Sequence, residues 1–117
     1  MIYFASPFTD PDQQVERQRY ISVRNATAHL LSCNYPVFSP IVYGYEMHIH
    51  NGLSGSMEFW KEFNASMLRR STVMYVLMLP GYEQSTGILW EAQQCYKFEI
   101  PIRYYSPADI FALTPIT

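Results

Sequence analysis

The segment TVMYVLML, residues 72–79, is apolar almost without a break and stops at Pro80-Gly81. A strand with one wet face alternates apolar and polar residues. A continuous run instead implies a strand covered on both faces, as in the middle of a parallel sheet. Parallel neighbours are joined by crossover connections, usually helices. This run therefore demands helical segments around it and further short apolar strands to pair with.

The rest of the chain supplies both. MIYFA, residues 1–5, predicts a short buried strand bounded by Ser6-Pro7. TDPDQQVERQRYISVRNATAHLLSC predicts a long helix, with Asp10 as its cap and Pro11 at its first position. Val15, Ile21, Val23, Ala26, Leu30 and Leu31 give it an imperfect apolar face, and His29 is expected to pack within it. NYPVFSP predicts a turn and a short strand ending at Ser39-Pro40. IVYGYEMHIHNGLSG, residues 41–55, has no clear period and two glycines near its end, so a long loop of the lid or binding type is expected.

Ser56 is placed to cap the helix MEFWKEFNASMLRRS, with Phe59, Trp60, Phe63, Met67 and Leu68 along one side. After the central run come the turn PGYEQSTG and a helix from just after Gly87 to about Phe98. Ile88, Leu89, Ala92, Cys95 and Tyr96 are its predicted buried stripe. IPIRYY predicts a last strand and PADIFA a helical turn. The expected fold is α/β: one domain over residues 1–117, with a doubly wound, Rossmann-like or flavodoxin-like parallel sheet. About four to five strands are expected, with helices on both faces. Ligands bind such sheets at the carboxyl ends of the strands, which directs attention to SPFTD, SPIVYGYE and PGYEQSTG.

With 15% charged residues and a net charge of -2, the chain has no basic footprint for a polymeric nucleic acid. No apolar run approaches the roughly 20 residues of a membrane helix, and MIYFASPFTD lacks the basic flank of a signal peptide. Cys33 and Cys95 have no metal or CxxC spacing, so two reduced thiols in a cytoplasmic protein are expected. Ten Tyr and seven Phe fit a ring-lined pocket, a subunit interface or simply a dense core.

Glu91 falls near the start of the helix after the central strand, at the border of its stripe. There the helix dipole favours an anion, so the carboxylate is expected to be partly desolvated yet ionised, as a nucleophile must be. An ordinary Glu stabilising the helix end fits the same position. Ser85 and Gly87 offer a hydroxyl and open backbone amides, suited to an anion or phosphate and equally to a capped turn. In EMHIH, Glu46, His48 and His50 alternate and would meet a metal if extended, but no third ligand is evident. A polar loop over the pocket is the plainer expectation, with no metal and no cofactor.

IYFASPFT, the SP after the second strand, FW before a helix and PGYEQSTGILWE after a strand together resemble the nucleoside 2-deoxyribosyltransferase-like superfamily, most closely its small bacterial and phage members. The resemblance reaches to about Tyr105. It implies that Glu91 is the nucleophile at the anomeric carbon and that Tyr3 orients it. It implies that Ser6 and Phe8 line the nucleoside pocket and that Ser85, beside Gly87, meets a 5′-phosphate, with Arg17 and Arg19 in support. The expected activity is cleavage or exchange of the N-glycosidic bond of a nucleoside or nucleoside 5′-monophosphate. A homodimer or larger is implied as well.

Three departures stand out. Asn64 replaces the Asp usual after FW, keeping an acceptor but no acidic proton. Thr72 replaces an Asp before the central strand, and the histidines after FSPI appear here as VYGYEMHIH. Asn64 motivates the alternative of a non-catalytic module that binds a nucleotide or a partner protein.

Overall fold

The computed structural model describes residues 1–116; Thr117, the last residue of the expected domain, lies outside them. The elements run β1 (Ile2–Ala5), α1 (Gln13–Ser32), β2 (Val37–Phe38), α2 (Pro40–Asn51), α3 (Met57–Arg69) and β3 (Val73–Leu77). A 3₁₀ turn (Tyr82–Gln84), α4 (Thr86–Lys97), β4 (Ile102–Tyr105) and α5 (Pro107–Phe111) complete them. The four strands form one sheet in the order β2-β1-β3-β4, every pair parallel. Ile2 aligns with Val37 on one side and Val73 on the other, so β1 is an inner strand.

Period-two alternation sorts the strand side chains between two cores. Ile2 and Phe4 of β1, with Tyr75 and Leu77 of β3, pack with Val23, Ala26 and Leu30 of α1 and Ile110 of α5. Tyr3 and Ala5, with Met74 and Val76, pack with Leu68 of α3 and Ile88 and Cys95 of α4. The continuous apolar run of β3 is thus consumed on both faces, and the doubly wound expectation holds with four strands.

Three local expectations are corrected. Residues 41–55 are not a loop throughout, because α2 occupies Pro40–Asn51. Ser39 caps it by accepting from Val42 N at 3.1 Å, Pro40 sits in its first turn, and Gly52 ends it at φ 70°. The helix has no simple apolar stripe because it is held by rings: Tyr43 stacks on Phe63 of α3, centroids 5.4 Å apart. The start of α1 lies two residues later than expected. Asp12 caps it by accepting from Gln14 N at 2.8 Å, while Asp10 accepts from Asp12 N and Pro11 stays outside the helix. In α4, which begins at Thr86 so that Gly87 is within its first turn, Leu89 and Tyr96 are 60% and 90% exposed. Ile88, Glu91 and Cys95 form the buried side instead, spaced three and four residues apart.

One cation joins the loops that follow β1 and β3. Arg19 donates through Nη1 to the carbonyls of Phe8 and Thr9, at 3.2 and 3.1 Å, and through Nη2 to that of Pro80 at 3.0 Å. Gly81 makes this possible, since it sits at φ 90° and a Cβ there would lie 2.6 Å from Arg19 Nη2. The loops flanking the sheet's switch point are therefore fixed to each other. Arg17 is exposed and Arg19 is spent on carbonyls, so neither matches the expected supporting role at a phosphate.

Candidate functional site

The chain from β1 runs to β2 on one side, and the return to β3 crosses to the other side of β1. In sheets of this kind that reversal opens a crevice at the carboxyl ends of the strands. A cleft of about 590 Å³ lies there, bordered by Ser6 and Phe8 after β1, by α2, by α3 and by the first turns of α4. That volume suits a small organic ligand of nucleoside size.

Glu91 reaches the cleft from α4 although it is 7% exposed. Ser85 starts that helix: its Oγ accepts from Ile88 N at 3.2 Å, which fixes the register that turns Glu91 inward. Tyr3, fully buried on β1, donates its hydroxyl to Glu91 Oε2 at 2.5 Å. A bond that short to a carboxylate is strong and sets the side chain in one orientation. Burial pushes the Glu91 carboxyl up to about 7, the Tyr3 bond opposing part of that rise. Desolvation thus outweighs the phenol's bond, against the expectation of a carboxylate partly desolvated yet kept ionised. Tyr3 itself is raised well above the usual phenol range by burial and then by the charge of Glu91, so it stays a donor. Cys95, one turn along α4, is pushed up to about 11, first by burial and then by the same charge.

The other predicted residues converge on the same space. Ser6, 4% exposed, has its Oγ without a hydrogen-bond partner among the described residues, yet it borders the cleft. A buried hydroxyl left in that state is costly unless something in the cleft meets it. Phe8 stands edge-on to Tyr45 of α2, centroids 5.8 Å apart, and Tyr45 stacks on Tyr20 at 3.9 Å. Ser85 uses its acceptor capacity as a cap, which leaves the O–H free to donate. A Cβ on Gly87 would meet only Ser85 Oγ at 3.8 Å, so protein packing does not demand glycine, and Gly87 borders the cleft. Asn64 lines the cleft from α3. Tyr3 is the one predicted residue that stands behind the cleft, acting on it through Glu91.

Several lining residues escaped the sequence expectations. Trp60 entered only as part of an apolar stripe and of the FW pair, Trp90 only as a letter of the PGYEQSTGILWE motif, and Lys61 was given no role. In the structure all three border the cleft, with Lys61 Nζ 5.8 Å from the Trp90 ring centre. His48 also lines it, but from a helix, so the alternating strand geometry supposed for Glu46, His48 and His50 does not exist. Among the described residues no group of three His, Cys, Asp or Glu is arranged to hold a metal ion. Among them, too, no helix is long and apolar enough to cross a membrane.

The fold has a counterpart among solved structures. A solved structure described as 2-deoxyribosyltransferase from the psychrotolerant bacterium Bacillus psychrosaccharolyticus superposes with a TM-score of 0.63 at 24% identity, covering 91% of this chain and 72% of that one. At that identity the likeness carries the fold: a nucleoside 2-deoxyribosyltransferase-like, Rossmann-type sheet. No curated protein matches the chain. Residues 1–106 match the model of DUF1937, described as a domain of unknown function, and the chain belongs to that family.

Proposed function

We propose that this protein breaks the N-glycosidic bond of a nucleoside or nucleoside 5′-monophosphate, with Glu91 as the nucleophile. The observation that carries the proposal is a buried carboxylate facing a nucleoside-sized cleft and held at 2.5 Å by a buried phenol. The likeness to a 2-deoxyribosyltransferase supports glycosyl transfer as the reaction class. In the first step a Glu91 oxygen bonds to C1′ as the C1′–N bond breaks, and the electron pair leaves with the base. In the second step water or another base takes C1′ and restores the carboxylate, with net retention at C1′. Phe8, Trp60 and Trp90 offer faces for base and sugar, while Ser6, Asn64 and the free O–H of Ser85 offer polar contacts to hydroxyls or phosphate.

The test is release of free base from a panel of ribo- and deoxyribonucleosides and their 5′-monophosphates, with and without an added acceptor base. Release stimulated by the acceptor identifies a transferase, and unstimulated release a hydrolase. Tyr3→Phe is expected to slow the reaction roughly 10–100-fold. It also removes the hydrogen bond that holds the Glu91 carboxyl down, so the acidic limb of the pH–rate profile moves to higher pH. An unshifted limb would dissociate Tyr3 from the tuning of Glu91. Asn64, an amide where the resembled superfamily's pattern implies an Asp, favours a second reading: a binder without turnover. Tight nucleotide binding by calorimetry with no base release would establish that reading instead.

A homodimer belongs to the proposal. Tyr43, Phe59 and Phe63 are 44%, 47% and 39% exposed on the outer side of α2 and α3, beside the cleft wall. An aromatic surface of that kind is normally covered. A monomeric mass by light scattering at micromolar concentration would remove the dimer. The free, buried thiols of Cys33 and Cys95 support the expected reducing, cytoplasmic setting.

A further inference from the structure

A leaving base departs faster when a proton reaches it as its bond to C1′ breaks. Glu91 is engaged at C1′, and the amide of Asn64 has no acidic proton to give. An imidazole is the side chain best suited to exchange a proton near neutral pH, and His48 lines the cleft from the last turn of α2. Its ring is fixed by the chain that follows. Nδ1 lies 2.6 Å from the Leu53 carbonyl oxygen, which only accepts, so Nδ1 carries the hydrogen and the exchangeable position is Nε2. Gly55 lets the chain close on the ring, since a Cβ there would stand 3.3 Å from Cγ, Cδ2 and Cε1 of His48.

His50 provides a contrast within the same helix. Its Nε2 pairs with Glu46 Oε2 at 3.3 Å, Tyr20 donates to Glu46 Oε1, and neither His50 nor Glu46 lines the cleft. Among the described residues His48 Nε2 has no such partner.

Resting on the glycosidic reaction above, we propose that His48 is the proton carrier for the leaving base. The imidazolium gives its Nε2 proton to the base as the C1′–N electron pair moves onto it, and Glu91 closes its bond to C1′. The neutral ring then takes a proton from the incoming water or acceptor base as that group displaces Glu91. The ring returns to imidazolium and the carboxylate is regenerated.

The test compares two leaving groups. One substrate is the nucleoside turned over fastest in the panel. The other is 4-nitrophenyl β-D-ribofuranoside, whose 4-nitrophenolate leaves as an anion without a proton. His48→Asn places an amide nitrogen where Nδ1 stands, preserving the contact to Leu53 while removing Nε2. The variant is expected to lose roughly 100-fold in turnover of the nucleoside and less than about threefold on the nitrophenyl riboside. Equal losses on both substrates overturn the assignment in favour of a purely structural ring. Undiminished turnover of the nucleoside overturns it in favour of another proton source. A wild-type protein that releases neither base nor nitrophenolate overturns the glycosidic reading, and this role falls with it.

Discussion

Glu91→Gln is expected to lower base release by roughly 10⁴-fold or more, the scale of losing a nucleophile. Nucleotide binding measured by calorimetry is expected to survive. The substitution is a narrow one: glutamine keeps the volume and still accepts from the Tyr3 hydroxyl, so the interior of α4 is left packed. What disappears is the oxygen able to bond to C1′. Turnover within tenfold of the wild type would remove Glu91 from the reaction, whatever else the cleft does. In the wild type the rate should rise with pH as the carboxylate ionises, with a limb near 7, the point to which burial has pushed it.

The same carboxyl should make the fold less stable as it ionises. Below pH 4.5, the ordinary value for the group, both folded and unfolded chains hold the proton and nothing is lost. As pH rises from there through about 7, the unfolded chain releases its proton more readily than the folded one, and stability falls. The total is about 3 kcal/mol at pH 8, from the size of the shift. Denaturant titrations at pH 5 and pH 8 should show that difference in the wild type, over any contribution from other groups, and lose most of it in Glu91→Gln. A variant as pH-sensitive as its parent would show that the buried carboxyl is not the source. On the proposed mechanism the working form of Glu91 is the charged one that the protein interior resists.

Much of this was legible in the residues, for physical reasons that differ by element. β3 announced itself because a strand covered on both faces has no polar positions, and Val73–Leu77 has almost none. The start of α4 was readable only approximately: a Ser before a helix is a chemical signal and Ser85 is the cap, but the helix was expected just after Gly87 and begins at Thr86. α2 went unread although Ser39, Pro40 and Gly52 were all in view as cap, first-turn and terminating residues. Its stripe is replaced by ring contacts to α3, and those depend on a neighbour that no local period encodes. Glu91 was placed at the edge of a stripe of Ile88, Leu89, Ala92, Cys95 and Tyr96, whereas it is buried with Ile88 and Cys95 while Leu89 and Tyr96 face outward. The reason is its bond to Tyr3: a tertiary partner lets a carboxylate occupy an interior position that hydrophobicity alone assigns to leucine. Trp90 and Lys61 had no role readable from the sequence for a related reason, since each is defined by what it faces across the fold. His48 was expected over the pocket, but on a loop rather than on α2.

The bond between Tyr3 and Glu91 spans 88 residues. At ordinary rates of synthesis, the nascent chain therefore holds a finished first strand for roughly 5–20 s before its partner carboxylate is made. For most of that interval β1 has at best β2 beside it, and the edge later taken by β3 is an open row of amides and carbonyls in an apolar strand. The burden of building the sheet from the inside outward falls on this half-made state, which is where aggregation would compete with folding. A corollary concerns chemistry in the cell. No truncated product ending before α4 contains Glu91, so on the proposed mechanism glycosidic activity would report chains that have extended at least that far.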